Sequence, residues 1–328
     1  MKSKVVAYNG RQLDGKDIQI YSHRGARGLG PENTMVNYAQ SLRIGVDYVD
    51  MDVNMTADGV LAVTAGERLN PDITRNAEGE FIKKCPPIHD LTFAELQEYN
   101  VGEIKPGTVY AGYFPDQLPE DVARIPALDE VIEFTKEIAG DDVGFQIEIK
   151  NDPSKPEESA TPDEYAEALY ETLKEHDIVN RTEVQAFDFS NLIKLNAIDA
   201  TVKTAYLTVR GKSGLKWTGG VSPNDFDNSF PKMVSELGGA VWDPYEMDLS
   251  KKELEEAHDL GLKVVVWGSP GLEGTQWNYP QISRLMDWEV DGIISDRPDE
   301  LRGVLARLAY DVPQNFQVSA NQSPRRRI

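Results

Sequence analysis

Short apolar runs rich in β-branched and aromatic residues recur along this chain, and helix-like stretches separate them. Such alternation is typical of a parallel sheet built from βα units. The candidate strands lie at 18–23, 48–53, 144–150, 183–188, 204–209, 240–245, 263–268 and 291–296. Because the chain has 328 residues and 40% hydrophobic side chains, it can bury the core of a single barrel domain. The pattern therefore predicts an eight-stranded α/β barrel.

Amphipathic segments fill the intervals between the candidate strands. ENTMVNYAQSLRIG follows the first strand, and we expect Asn33 to cap its N-terminus and Gly45 to end it. PDEYAEALYETLKEHD and SKKELEEAHDLG combine acidic first turns with leucine or alanine at helical spacing. These segments predict the helices of the βα units.

One apolar run departs from the alternation. VLAVTA at 60–65 follows the second strand after only the short segment TADG. Two strands joined by so short a turn must be antiparallel, so we predict that 48–65 forms a hairpin at the barrel rim. The stretch 66–127 is too long for an ordinary βα loop and predicts a subdomain inserted after the second strand. We expect one barrel domain over 1–312 and a polar tail over 313–328.

Composition and charge exclude several classes of partner. Asp and Glu outnumber Lys and Arg by 55 to 34, and the formal net charge of −21 repels nucleic acid and anionic lipid surfaces. Because no apolar run is long enough to span a bilayer, we expect no stable membrane insertion. We find no signal peptide and expect a soluble cytoplasmic chain, or a periplasmic or secreted one whose leader has been removed. The single cysteine, Cys85, excludes internal disulfides. The oligomeric state is not indicated.

Two pairs of charged residues alternate along neighbouring barrel strands. Asp50 and Asp52 point to the same face of the second strand, and Glu148 and Lys150 repeat the arrangement on the next one. Active sites of such barrels lie at the carboxyl ends of the strands. Three carboxylates without cysteine suit a hard divalent cation, Mg²⁺ or Ca²⁺. We therefore predict that Asp50, Asp52 and Glu148 bind metal.

Cationic groups accompany these carboxylates at the predicted mouth. Arg24 and Lys150 suit the binding of a phosphate, so a metal-bound phosphodiester is one interpretation and a structural salt-bridge network is the other. His23, at the end of the first strand, has a near-neutral pKa and can act as acid or base. Phe187 and Trp267 lie at strand ends and either line a substrate pocket or pack in the core.

The motifs at these positions resemble those of the glycerophosphodiester phosphodiesterase family. SHRGARGLGPENT is similar to its opening HRG and PENT signature, and DYVDMDVNMTADGVLAV to its metal-binding hairpin. QIEIK, VQAFD, VVVWG and DGIISDRPD resemble its later strands in order, so the resemblance extends over about residues 20–305.

The resemblance implies a TIM barrel with an insertion after the second strand. It also implies hydrolysis of glycerophosphodiesters, small molecules such as glycerophosphocholine, to an alcohol and glycerol 3-phosphate with a divalent cation. Carried over by position, His23 is one of two acid/base histidines, and Arg24 and Lys150 contact phosphate. Asp50, Asp52 and Glu148 bind the metal.

Two positions depart from the family pattern. Asp50 stands where the family usually has Glu, and Ala65 and Gly66 stand where it has a His-Asp pair. A methyl group transfers no proton, so the resemblance leaves three interpretations of Ala65. The chain is an inactivated variant, a divergent phosphodiesterase or phospholipase D-like enzyme acting on another diester, or a phosphodiester-binding protein without catalysis. A barrel with metal-dependent enolate or sugar chemistry is a more distant alternative.

Overall fold

The structure is a computed structural model that describes residues 6–8, 11–13, 18–212, 214–268 and 277–319. Its β-strands in chain order are β1 Val6–Tyr8, β2 Arg11–Leu13, β3 Gln19–Ser22, β4 Tyr48–Met55, β5 Leu61–Val63, β6 Gly144–Ile149, β7 Thr182–Ala186, β8 Lys203–Thr208, β9 Val241–Pro244, β10 Lys263–Val266 and β11 Gly292–Ser295. The α-helices are α1 Met35–Ile44, α2 Phe93–Leu96, α3 Val109–Tyr113, α4 Leu128–Ala139, α5 Pro162–Glu175, α6 Phe189–Ile198, α7 Phe230–Glu236, α8 Lys251–Asp259, α9 Tyr279–Trp288 and α10 Pro298–Arg307.

Eight parallel strands close into a barrel. The order around it is β3, β11, β10, β9, β8, β7, β6 and β4, and pairing between β3 and β4 closes the ring. A helix follows each barrel strand before the next one begins, as in a TIM barrel. All eight strands overlap the segments expected from the sequence. The predicted fold class is therefore confirmed.

The surrounding helices begin and end where their sequences supply the right groups. In α5, Thr161 and Glu164 form a reciprocal capping box, and Pro162 occupies the first turn. Tyr165, Leu169 and Leu173 follow at four-residue spacing and are fully buried. This stripe packs α5 onto the barrel core.

The hairpin predicted after the second barrel strand is present. β4 pairs antiparallel with β5, with Met55 opposite Leu61 and Val53 opposite Val63. The segment between β5 and α4 contains α2 and α3 and contributes to a small apolar core of its own. That core consists of Ala62, Leu69, Ile88, Leu96, Val101, Ala123 and Ile125. The insertion therefore packs on the hairpin beside the barrel mouth.

The opposite end of the barrel is filled by side chains. Tyr21 and Tyr48 stack with ring centroids 4.4 Å apart. Lys263 Nζ lies 2.7 Å from Glu183 Oε1, and the Tyr21 hydroxyl donates to Glu183 Oε2 at 2.9 Å. A barrel closed in this way offers substrate access only from its other end.

Part of the predicted tail contacts the barrel domain. Phe316 and Val318 pack against the main core, and the Phe316 N–H donates to the carbonyl of Leu42 at 2.9 Å. Residues 320–328 lie outside the described residues. Within the described ranges, none of the helices has the length and apolarity needed to cross a bilayer.

Candidate active site

The turn after β3 directs two predicted site residues into the barrel mouth. Arg24, Gly25 and Ala26 have left-handed backbone conformations, with φ of 50°, 75° and 72°. Non-glycine residues adopt this conformation only at a cost, so surrounding contacts must stabilise it. One such contact is the Arg24 N–H, which donates to Asp50 Oδ1 at 3.0 Å. A carboxylate of β4 thereby holds the turn that carries His23.

The expectation that Asn33 caps α1 is wrong. Thr34 occupies the N-cap position, and Asn33 has a φ of 54°. Asn33 Nδ2 donates to Asp52 Oδ2 at 2.9 Å, and its Oδ1 accepts from the Tyr38 hydroxyl at 2.9 Å. The amide is therefore part of the barrel mouth, where it supports a predicted metal ligand, and is not available to cap the helix.

His23 is held by a carboxylate from the last barrel strand. Its Nδ1 lies 2.7 Å from Asp296 Oδ1, which also accepts from Arg27 Nε at 2.9 Å. Since a carboxylate only accepts, the hydrogen of the neutral imidazole lies on Nδ1 and Nε2 is left to accept a proton. Burial lowers the pKa of His23, partly offset by Asp296. The imidazole is therefore neutral near pH 7.

The three predicted metal ligands meet around the two predicted phosphate-binding cations. Asp52 and Glu148 are opposite each other in the pairing of β4 with β6. Arg24 Nε lies 2.9 Å from Asp52 Oδ2, and Lys150 Nζ lies 2.7 Å from Glu148 Oε1 and 3.3 Å from Asp52 Oδ1. Asp50 Oδ2 instead accepts from Gln185 Nε2 at 2.6 Å. The cations are thus paired with the carboxylates in this structure.

These carboxylates differ in charge state because their neighbours differ. Burial would raise the pKa of Asp52, but Arg24 and Lys150 outweigh it and hold that pKa below its usual range. Burial, followed by the charge of Asp52, raises the pKa of Asp50 well above its ordinary value. Burial also raises the pKa of Glu148 to about 7, despite Lys150. Near neutral pH the cluster therefore holds protons that a cation could replace.

A cavity of about 240 Å³ opens at the carboxyl ends of the strands. His23, Arg24, Asp50, Glu148 and Lys150 form its polar side. Its apolar wall includes Phe187, Leu207, Trp267 and Ile294. The rings of Phe187 and Trp267 meet edge to face with centroids 5.4 Å apart. The structure thus places both aromatic side chains on the cavity, and their role in substrate binding stays a prediction.

Ala65 follows the hairpin strand β5 by two residues. The preceding Thr64 donates its N–H to the carbonyl of Asp52 at 2.9 Å, and its own carbonyl accepts from Asn54 Nδ2 at 2.8 Å. These contacts fix the backbone next to the site. The side chain of Ala65 is half-buried and has no group that transfers a proton.

The carboxylate cluster fits a divalent cation in chemistry but is not arranged around one. All three side chains supply oxygen, and Asp52 Oδ1 is buried and accepts no hydrogen bond. Among the described residues, however, no group of three or more His, Cys, Asp or Glu side chains is positioned to hold a metal ion. Asp52 faces Arg24 and Lys150 instead. Metal ligation by Asp50, Asp52 and Glu148 stays a prediction.

Several site residues were missed in the sequence. Asp296 directly follows the last barrel strand, β11, a position that could have been found by the reasoning applied to Asp50. Arg27 stands four residues after His23, and its Nη2 donates to Asp296 Oδ2 at 3.1 Å. Glu32, in the segment PENT, lies 3.2 Å from Arg24 Nη1. It also accepts a hydrogen bond from the hydroxyl of Tyr110 in the insertion, a contact for which the sequence carries no signal.

The other histidines lie outside this cluster. His89 Nδ1 lies 3.2 Å from the carbonyl of Met55, on the hairpin. His176 Nε2 and His258 Nε2 each lie 2.8 Å from a carboxylate oxygen, of Asp129 and Asp291, respectively. His23 is consequently the one histidine that lines the cavity among the described residues.

The chain matches known proteins over most of its length. A sequence model of the glycerophosphoryl diester phosphodiesterase family matches residues 23–300. A glycerophosphodiester phosphodiesterase of Bacillus subtilis is 24% identical over 308 residues, covering 89% of this chain and 88% of that protein.

Solved structures share the fold. A Silicibacter pomeroyi DSS-3 protein described as a glycerophosphoryl diester phosphodiesterase has a TM-score of 0.79 and 30% identity, covering 90% of this chain and 95% of that one. An Oleispira antarctica phosphodiesterase in complex with the product sn-glycerol-3-phosphate has a TM-score of 0.64 and 19% identity, covering 88% and 97%. Because the sequence match extends from His23 to Glu300 and thus over most of the chain, this chain belongs to the glycerophosphoryl diester phosphodiesterase family.

Proposed function

We propose that this chain hydrolyses glycerophosphodiesters to an alcohol and glycerol 3-phosphate. Membership of the family supports this, as does the product bound to the Oleispira antarctica phosphodiesterase. The observation that carries the proposal is the convergence of His23, Arg24 and Lys150 on one cavity at the barrel mouth. A base and two cations are the groups that hydrolysis of an anionic diester requires.

His23 acts as the general base. Its Nε2 takes a proton from the attacking water while Asp296 holds Nδ1 and stabilises the imidazolium that forms. Arg27 donates to both oxygens of Asp296 and so keeps this carboxylate charged and oriented. General base catalysis of this kind contributes about 10²–10⁴-fold to the rate.

Arg24 and Lys150 bind the phosphate, each giving up part of its contact with Asp52. Asp50, Asp52 and Glu148 would hold the divalent cation, Mg²⁺ or Ca²⁺, which stabilises negative charge developing on the phosphoryl oxygens. The raised pKa values of Asp50 and Glu148 mean that binding of the cation would release protons.

Ala65 supports a second candidate function. Without a proton-transferring side chain at this position, the site can bind a diester and stabilise its charge but lacks the acid that resemblance to the family implies. A phosphodiester-binding protein without catalysis fits that loss, and so does an enzyme acting on a diester with a better leaving group.

Hydrolysis and binding measured on the same protein separate these functions. Glycerophosphocholine, glycerophosphoethanolamine and glycerophosphoglycerol are incubated with the chain and Mg²⁺ or Ca²⁺, and glycerol 3-phosphate is measured. We expect release that EDTA abolishes, that His23→Gln reduces by about 10²-fold or more, and that His258→Gln leaves unchanged. Saturable binding in calorimetry without release of product would support the binding protein instead.

Metal ligation is tested without an assay of activity. Calorimetric titration of the chain with Mg²⁺ or Ca²⁺ should show binding that Asp52→Asn abolishes. Glu175→Gln, at the exposed end of α5, serves as the control for loss of one negative charge. Unchanged binding in Asp52→Asn would contradict the assignment of the ligands.

A further inference from the structure

A second lysine reaches the wall of the cavity from the loop after β8. Lys212 ends the 3-10 turn Arg210–Lys212, and its Nζ lies 4.4 Å from the centroid of the Phe187 ring and 4.1 Å from that of Trp217. Two cation–π contacts hold an ammonium group in a defined place. Since Phe187 lines the cavity, this place is at the edge of the site.

Charged groups of the carboxylate cluster and of the segment after the hairpin act on Lys212. In the part of the chain that the structure describes, Lys212 forms no ion pair, and the groups that act on its charge are Lys150, Glu148, Glu67 and Asp152. Glu67 follows Ala65 by two residues, and Glu148 belongs to the carboxylate cluster. Lys212 is therefore within electrostatic reach of the carboxylate cluster and of the segment after the hairpin.

Lys212 also differs chemically from the other cations of the site. Burial, followed by the charge of Lys150, lowers the pKa of Lys212, so its ammonium is a better acid than that of an ordinary lysine. Asp52 and Glu148 outweigh burial at Lys150 and raise its pKa. Carboxylates likewise raise the pKa of Arg24 and Arg27. Lys150, Arg24 and Arg27 therefore keep their protons, unlike Lys212.

We propose that Lys212 protonates the leaving alcohol, the task that no side chain at position 65 can perform. This inference rests on the proposed hydrolysis. The water oxygen forms the new bond to phosphorus while His23 Nε2 takes its proton. The bond from phosphorus to the alcohol oxygen breaks, and a proton passes from Lys212 Nζ to that oxygen. The imidazolium and the neutral amine then exchange protons with solvent, which restores the site.

Two substrates with different leaving groups test this role. Glycerophosphocholine releases an alkoxide that needs a proton, whereas bis(p-nitrophenyl) phosphate releases a phenolate that does not. We expect Lys212→Met to lower kcat for glycerophosphocholine by about 10²-fold or more and kcat for the nitrophenyl ester by less than about threefold. Lys216→Met, at an exposed position on the same segment, is the control and should change neither.

Lys212→Arg separates proton donation from a role of charge alone. Arginine keeps the positive charge and the ring contacts but does not give up its proton. We expect Lys212→Arg to retain KM for glycerophosphocholine and to lose kcat as Lys212→Met does. Recovery of kcat in Lys212→Arg, or equal losses for both substrates in Lys212→Met, would overturn the proposal.

Results for the unmodified chain distinguish failure of this inference from failure of the proposed function. Cleavage of glycerophosphocholine that Lys212→Met leaves unchanged would overturn only the role of Lys212. Cleavage of the nitrophenyl ester alone would overturn both and support an enzyme that acts on a diester with a better leaving group. Absence of cleavage of either substrate would overturn both. Lys212→Met should lower kcat for glycerophosphocholine less when Ala65→His is also present. The introduced histidine would then share the protonation of the leaving alcohol, and this result would support the proposal.

Discussion

At the scale of single residues, position decides which carboxylates of the site are charged. Asp50, Asp52 and Glu148 are all buried, yet only Asp52 lies close to two cations, and its pKa falls while the others rise. Alternation along the strands predicts that Asp50 and Asp52 share a face. It does not predict their charges, because these depend on where the turn after β3 directs Arg24.

Glu148→Gln should flatten the dependence of stability on pH. The pKa of Glu148 is raised to about 7 in the folded chain, so its contribution to the free energy of unfolding is present below its unfolded pKa of about 4.3 and is lost as pH rises through 7. In EDTA, the unmodified chain should lose about 2 kcal/mol more than Glu148→Gln between about pH 5.5 and pH 8. Urea unfolding at both pH values measures this. Equal losses of unfolding free energy in the unmodified chain and in Glu148→Gln would contradict the assigned pKa.

Asp296→Asn should lower the pKa of His23 further. The carboxylate raises that pKa against the effect of burial, so its removal leaves burial and the charge of Arg27 to favour the neutral imidazole. NMR titration of the histidine ring protons, assigned with His23→Gln, measures the shift. Asp291→Asn, which removes the carboxylate beside His258 and leaves Asp296 in place, is the control. A rise in the pKa of His23 would show that the contact with Asp296 is absent in solution.

At the scale of elements, the strands and the hairpin could be predicted from the sequence and the turns could not. The spacing of apolar residues is a property of each segment, so it predicts the strands. The short turn between β4 and β5 then indicates that these two strands are antiparallel. The left-handed turn after β3 depends on Asp50, a residue distant in sequence. The same limit explains Asn33, whose side chain contacts Asp52 and does not cap α1.

Gly25→Ala should destabilise the turn that carries His23 and Arg24. Gly25 has a φ of 75°, and a Cβ there would lie 3.3 Å from the Asn37 backbone and the Tyr38 ring. We expect a loss of about 1–2 kcal/mol in the free energy of unfolding. Gly303→Ala in α10, where a Cβ meets nothing within 4 Å, is the matched control and should stabilise by about 0.5–1 kcal/mol. Denaturant unfolding of both variants measures the difference. Equal changes in the free energy of unfolding for the two variants would show that the left-handed turn does not require glycine at position 25.

At the scale of the whole molecule, the barrel was predictable because eight similar units repeat. The sequence predicts the insertion only as an interruption of the alternating strands and helices. Its core could not be predicted, because Leu69, Ile88 and Val101 lie far apart in the sequence without regular spacing. The packing of Phe316 beside Leu42 was not predictable either, because the tail is aperiodic in sequence.

The excess of acidic residues should make stability depend on salt. With a formal net charge of −21, self-repulsion opposes the compact state, and added salt screens it. We expect Tm to rise by a few degrees between about 0.05 M and about 0.5 M NaCl. Scanning calorimetry, with a neutral osmolyte as control, measures the effect. A constant or falling Tm would show that local ion pairs outweigh the net repulsion.

We expect this site to hydrolyse glycerophosphodiesters although position 65 carries only a methyl group. The most direct measurement is the release of glycerol 3-phosphate from glycerophosphocholine by the unmodified chain and by Ala65→His, with Mg²⁺ or Ca²⁺ and with EDTA. We predict release by the unmodified chain that requires the metal. Release by Ala65→His alone would contradict the claim and show a phosphodiesterase site inactivated at one residue.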